Sequence, residues 1–142
     1  MTDHIVIGIN GEKYGLAISD VQEIIKLLPV TDIPGVSPYI EGVINLRGRI
    51  VPVIGMRARF GQPAGAMDEA SRIVIVNASE GEAVGLLVDN VMQVVSFAEV
   101  LPPPNGVGGG NRMYLRGIGK MNDQLISLLD LGKVLGTGES DR

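Results

Sequence analysis

The sequence predicts an all-β fold of two small, related barrels that share one hydrophobic core, and three observations predict it. Glycine supplies 20 of the 142 residues, about twice its usual share, and it falls singly between Val/Ile runs, where it marks the turns and bulges of curved sheets. The apolar runs, such as IVIGI (5–9), IVPVI (50–54) and RIVIVN (72–77), have the length and β-branched composition of strands. The two halves also repeat: IVIGINGEKYGLAISDVQEI aligns with IVIVNASEGEAVGLLVDNVMQVV. Gly15, Leu16, Val21 and Ile24 match Gly85, Leu86, Val91 and Val94 at an offset of 70 (85 − 15).

The elements follow in order. IVIGI (5–9) and YGLAI (14–18) are strands joined at Asn10-Gly11, the strongest short hairpin signal. Ser19, with Gln22 three residues on, reads as a capping box. Val21, Ile24, Ile25 and Leu28 then fall at i, i+3, i+4 and i+7, which predicts one short helix near residues 20–27, closed by Pro29. VTDI (30–33) is a short strand before the PGVSP turn. GVINL, a turn at Arg47-Gly48-Arg49 and IVPVI form a strand pair, and MRARFG is a short helical turn. Pro52 places its strand at an edge or a bulge. After the GQPAGAMDEA loop, RIVIVN (72–77) and AVGLLVD (83–89) make a second hairpin. VMQVVSF (91–97) is a strand or short helix, LPPPNGVGGGN (101–111) a loop, and YLRGIGK, QLISLLD and a turn around LGKVL complete the chain. The repeat extends here: Leu46-Arg47-Gly48 matches Leu115-Arg116-Gly117 at an offset of 69 (115 − 46), and IVPVIGMRARFG faces LISLLDLGKVLG.

The residue inventory excludes most chemistry. There is no cysteine, hence no disulfide, thiolate metal site or cysteine nucleophile. The only histidine, His4, lies at the N-terminal end and reads as a surface residue, so Ser-His arrangements lack a base. The carboxylates are scattered without metal-ligand spacing, and the NGVGGGN run lacks the Lys-Ser/Thr of a phosphate loop. No catalytic residue, cofactor or metal is assigned. A net charge of −4 and five aromatic residues oppose nucleic-acid binding. The N-terminus has no basic region and the longest apolar run is short of the ~20 residues that cross a bilayer. The expectation is a soluble cytoplasmic protein with no membrane insertion.

One stretch resists the bland reading. GVINLRGRIVPVIGMRARFG (42–61) carries Arg47, Arg49, Arg57 and Arg59 inside the most hydrophobic part of the chain. Unpaired buried charge is prohibitively costly, so these groups are solvated, paired or held for a partner. Arg49, Arg57 and Arg59 read as solvated charges on a sheet edge. Arg47 differs, at a strand end beside glycine, and is expected to pair with Glu23.

Together YGLAISDVQEII, IPGVSPYIEGVINLRGRIVPVIGMRARFG, VGLLVDNVMQVV and YLRGIGKMNDQLISLLDL resemble the CheW family of chemotaxis coupling proteins from about residue 4 to residue 136. The resemblance implies two intertwined five-stranded SH3-like barrels in a single CheW-like domain over residues 1–142, without catalytic activity. It implies an adaptor that couples methyl-accepting chemoreceptors to the histidine kinase CheA. The receptor's helical tip would dock in the groove between the barrels, the kinase's CheW-like regulatory domain would pair barrel to barrel, and further CheW copies would join in array rings. Carried over by motif, the receptor-facing positions are Val21, Glu23, Gly42 and Arg47; no kinase-binding residue is assigned.

The family usually has Asp where this chain has Gly55, a weaker helix cap. The chain starts at its first strand and stops after its last helix, so a stand-alone adaptor is expected rather than a fusion. The same module serving pilus or gliding motility is the nearest alternative. A small-molecule-binding barrel is the alternative of different class, but no closed polar pocket is legible for it.

Overall fold

The computed structural model describes residues 3–103 and 113–136; most of the loop expected over 101–111 lies outside them. Eleven strands dominate: β1 (Asp3–Ile9), β2 (Glu12–Ala17), β3 (Val21–Ile25), β4 (Ile40–Leu46), β5 (Arg49–Gly55), β6 (Arg72–Asn77), β7 (Ala83–Val88), β8 (Asn90–Ser96), β9 (Glu99–Leu101), β10 (Leu115–Met121) and β11 (Gln124–Leu129). Two short helices, α1 (Met56–Arg59) and α2 (Leu131–Leu135), follow β5 and β11. The hairpin β1–β2 turns on Asn10 and Gly11, both left-handed (φ 52° and 83°), as the right-handed strand twist requires.

The strands form a five-stranded sheet, β3-β6-β7-β5-β4, and a six-stranded sheet, β8-β1-β2-β11-β10-β9. Each half of the chain lends strands to the other. β3, which follows β2 in sequence, pairs instead with β6, while β8 pairs with β1. β5 lies parallel to β7, and β11 parallel to β2. The first barrel therefore combines β3–β5 with the hairpin β6–β7, and the second combines β8–β11 with the hairpin β1–β2. Between them lies one shared core that includes Ile5, Ile7, Ile9, Leu16, Val74, Val76 and Leu86. Alternate residues of the same strands, such as Val6 and Ile73, face their own barrel interiors instead. Strands buried on both faces read as continuous apolar runs, which is why IVIGI and RIVIVN show no polar alternation.

The internal repeat holds at the level of topology. Val53 opposes Gly85 in one barrel and Leu128 opposes Gly15 in the other, so β5 and β11 correspond at an offset of 75 (128 − 53). Bulges between Ile40 and Gly42 and between Leu115 and Gly117 match at the same offset. The LRG tripeptides do not match: Leu46 ends β4 whereas Leu115 begins β10. The residue equivalent to Arg47 is Asn122, and both are left-handed (φ 51° and 53°). The second barrel has the sixth strand, β9, where the first has only an isolated bridge between Thr31 and Val43.

Three further expectations are corrected. Residues 20–27 are not a helix: a single 3-10 turn (Ile18–Asp20) leads into strand β3. The helical spacing arose because Ile25 and Leu28 pack in the first barrel while Val21 packs on the shared core. Ile24, which a helix would have buried, is 38% exposed. Ser19 is no capping residue, and Gln22 Nε2 donates to Asn77 Oδ1 (2.7 Å). The β-branched run supplies β6 with a partner strand, and tertiary pairing overrides the local signal. His4 is 2% exposed, with its ring edge-on to Phe97. Pro52 sits in an interior strand but pairs with Val43 of β4, before the contact with β7 begins at Val53; its missing N–H breaks no second ladder.

Gly42 has φ 145°, and a Cβ there would run into the Thr31 carbonyl and the Val30 side chain. Its counterpart Gly117 faces Leu101 and Val100 in the same way. Gly11, by contrast, is left-handed with open space around it. Gly42→Ala is expected to cost well over about 1 kcal/mol, and Gly11→Ala no more than about 1–2 kcal/mol. Urea denaturation of the two variants checks the order.

Candidate functional site

The outermost strands of the five-stranded sheet are β3 and β4, so this barrel has a seam between them. Two links cross or border it. Thr31, just beyond β3, exchanges backbone hydrogen bonds with Val43 of β4 (2.8 and 2.9 Å), and Gly42 is what lets the two backbones approach. At the far end of β4, Arg47 occupies a tight turn with Gly48 (φ 51° and 85°), steadied by the Gly48 N–H donating to Asn45 Oδ1 (2.9 Å). From there the Arg47 guanidinium donates to Glu23 Oε2 of β3.

The predicted pairing of Arg47 with Glu23 is therefore present, although Glu23 lies on a strand. The Arg47 side chain is 67% exposed and that of Glu23 30%. An ion pair this open contributes about 0–1 kcal/mol to folding. Val21 stands at the other end of β3, half-buried against the shared core. The four sequence-predicted positions thus lie on the two seam strands and the turn that ends β4. Glu23 and Arg47 touch; Gly42 acts through backbone closeness to Thr31.

Arg57 and Arg59 are not solvated edge charges. Arg57 Nε and Nη2 hold the Asp89 carboxylate (2.7–3.2 Å), and the Asn10 N–H donates to the same group (2.7 Å). Arg59 stacks over Tyr39 and Tyr114, at 4.2 and 5.0 Å from the ring centroids. Arg59 Nε also donates to the Val134 carbonyl (2.6 Å), satisfying the end of α2. Tyr114 Oη donates back to the Arg59 carbonyl (3.1 Å). Phe60 lies between Tyr14 and Tyr114, 5.2 Å from each ring. These contacts join α1 of one barrel to α2 and the hairpin of the other. Arg49 is exposed, with no ion pair among the described residues.

Burial alone would push the Asp89 carboxyl up, but the Arg57 hydrogen bonds, the Asn10 N–H and the guanidinium charge outweigh it and hold it below its ordinary value. The hydrogen bonds it donates to Asp89 in turn raise Arg57. A depressed carboxylate contributes stability that is present above the unfolded-state pKa, about 4, and is lost as pH falls through the lower folded value. Asp89→Asn should therefore be less stable than the parent at pH 7, with the difference shrinking below about pH 4. Urea midpoints of both proteins measured across that range give the comparison.

Among the described residues no group of three or more His, Asp or Glu side chains is placed to hold a metal ion, and no helix is long and apolar enough to cross a membrane. Comparison with known proteins gives the family. The family model for the CheW-like domain matches residues 3–139, and the chain belongs to that family. It is 35% identical over 133 residues to the chemotaxis protein CheW of Bacillus subtilis, covering 92% of this chain and 85% of that protein. It is 33% identical over 139 residues to CheW of Klebsiella aerogenes, covering 96% and 83%. The crystal structure of the scaffolding protein TtCheW from Thermoanaerobacter tengcongensis superposes with a TM-score of 0.86 at 37% identity, covering 96% of this chain and 94% of that one.

Proposed function

We propose that this chain is a chemotaxis coupling adaptor, joining the cytoplasmic tips of methyl-accepting chemoreceptors to the histidine kinase CheA in the cytoplasm, with further copies of the module joining the array. The observation that carries the reading is the Arg47–Glu23 pair. It is exposed, contributes little to folding, and lies where the two seam strands and the turn that ends β4 hold all four positions singled out from the family resemblance. Arginine suits such a place, because its planar fork grips a carboxylate and still presents a face to a partner. Val21, Glu23 and Arg47 are the contacts offered to the receptor, and Gly42 fixes the backbone on which they stand.

Arg47→Ala and Glu23→Ala should each weaken binding to a soluble receptor hairpin fragment by about five- to fiftyfold, in keeping with about 1–2 kcal/mol per exposed interface group. The melting temperature should shift by no more than a few degrees, and kinase binding should persist. Normal receptor binding in both variants would remove the pair from the site. Unfolding of both would make it a structural strut.

Kinase docking is the apolar counterpart. Exposed apolar side chains recur at matching places on the two barrels, Ile50 at 65% and Leu125 at 64% among them. A pairing of barrels that buries roughly 1,200–2,000 Å² on such surfaces is driven by burial. Affinity for the isolated regulatory domain of CheA should change by less than about threefold between 50 and 300 mM salt, since apolar contact is not screened. A steep fall on calorimetric titration would assign the interface to charge.

A further inference from the structure

The repeat gives the molecule two clefts that share part of their walls, one narrower than the other. The narrower, about 120 Å³, is lined by Glu41, Gly55, Met56 and Arg57, with Asp89 and residues of the 64–67 segment beside them. Arg57 crowds it, its guanidinium gripped by Asp89 and packed so closely on Gly65 that a Cβ at that glycine would collide with it. Shifting these four lining positions by 75 gives Arg116, Asp130, Leu131 and Gly132. Those four residues line a second cleft of about 360 Å³, together with Asp20 and Asn77 to Ser79. Where the first cleft has Arg57, the second has Gly132, which has no side chain to put there. With no side chain at Gly132, the second cleft is the wider of the two among the described residues.

The open cleft adjoins the seam. Asp20 precedes Val21, and Asn77 accepts the hydrogen bond from Gln22, the residue between Val21 and Glu23. Its titratable lining is Asp20, Asp130 and Arg116. Asp130 caps α2 by accepting from the Lys133 N–H (3.2 Å), and none of the three makes an ion pair among the described residues. Two carboxylates against one guanidinium leave the cleft net negative. The chain itself shows what fits a cleft of this shape, a guanidinium held by a carboxylate.

We propose that the open cleft receives an arginine or lysine side chain from the docked receptor tip, in the place that Arg57 takes in the narrower cleft, with Asp20 as its carboxylate. Gly132 is then a specificity-determining position, because it leaves the wider cleft available. The inference rests on the adaptor reading above.

Its test uses the full chain, a soluble receptor hairpin fragment and the CheA regulatory domain. Gly132→Arg supplies the missing side chain and should lower receptor affinity by about tenfold or more, as expected when a charged contact is blocked. Kinase affinity and melting temperature should be kept. Asp20→Asn should weaken receptor binding several-fold without touching the fold, and Arg116→Gln should leave it unchanged or strengthen it. Changing tip arginines and lysines of the fragment to Gln one at a time should reveal one whose loss matters for the parent but not for Asp20→Asn. Normal receptor binding by Gly132→Arg overturns the cleft proposal while leaving the adaptor reading intact. Loss on Arg116→Gln with none on Asp20→Asn also overturns it, since the occupant would be an anion. If Gly132→Arg fails to fold, the Asp20 and Arg116 pair decides alone. A parent chain that binds no receptor fragment but folds normally would bring down the adaptor reading, and this inference with it.

Discussion

The exchange of hairpins between the two barrels is the constraint on which the rest of the structure depends. Neither half of the chain closes a barrel from its own strands, because β3 needs β6 and β8 needs β1. The exchange forces β1, β2, β6 and β7 to lie back to back, and their inner faces become the shared core. These strands are buried on both faces, and their packing sets how the barrels sit against each other. Arg59, Phe60 and Tyr114 then lock the periphery of the same contact.

Much of this was legible in the sequence and some was not, for identifiable reasons. The β class and the two related hairpins followed from glycine spacing and the 70-residue match, and Asn10-Gly11 announced its own turn. The strand β3 was misread because Val21, Ile25 and Leu28 face two different cores, and that spacing imitates a helical stripe. No local pattern separates one buried face from two. The LRG match misled because a tripeptide was aligned where the register of pairing, visible only in three dimensions, sets the correspondence at 75.

The site divided in the same way. Arg47 and Glu23 were legible through the family resemblance, and their contact followed from barrel closure. Arg57 and Arg59 were not, since an arginine that anchors two barrels looks in sequence like one that solvates an edge. The missing side chain at Gly132 could be noticed only by comparing the two clefts position by position. Gly55 shows the converse, since its counterpart Asp130 caps α2 while α1 goes without a side-chain cap.

The parallel pairing of β2 with β11 sets Tyr14 beside Ser127, at opposite ends of the described chain. As the polypeptide leaves the ribosome, the first hairpin is made early and must wait, one flank of its apolar face uncovered, until nearly the last strand arrives. Contacts so distant in sequence slow folding and prolong exposure of unpaired strand edges. The strand that completes the fold of the first hairpin is thus the last strand of the described chain to be made.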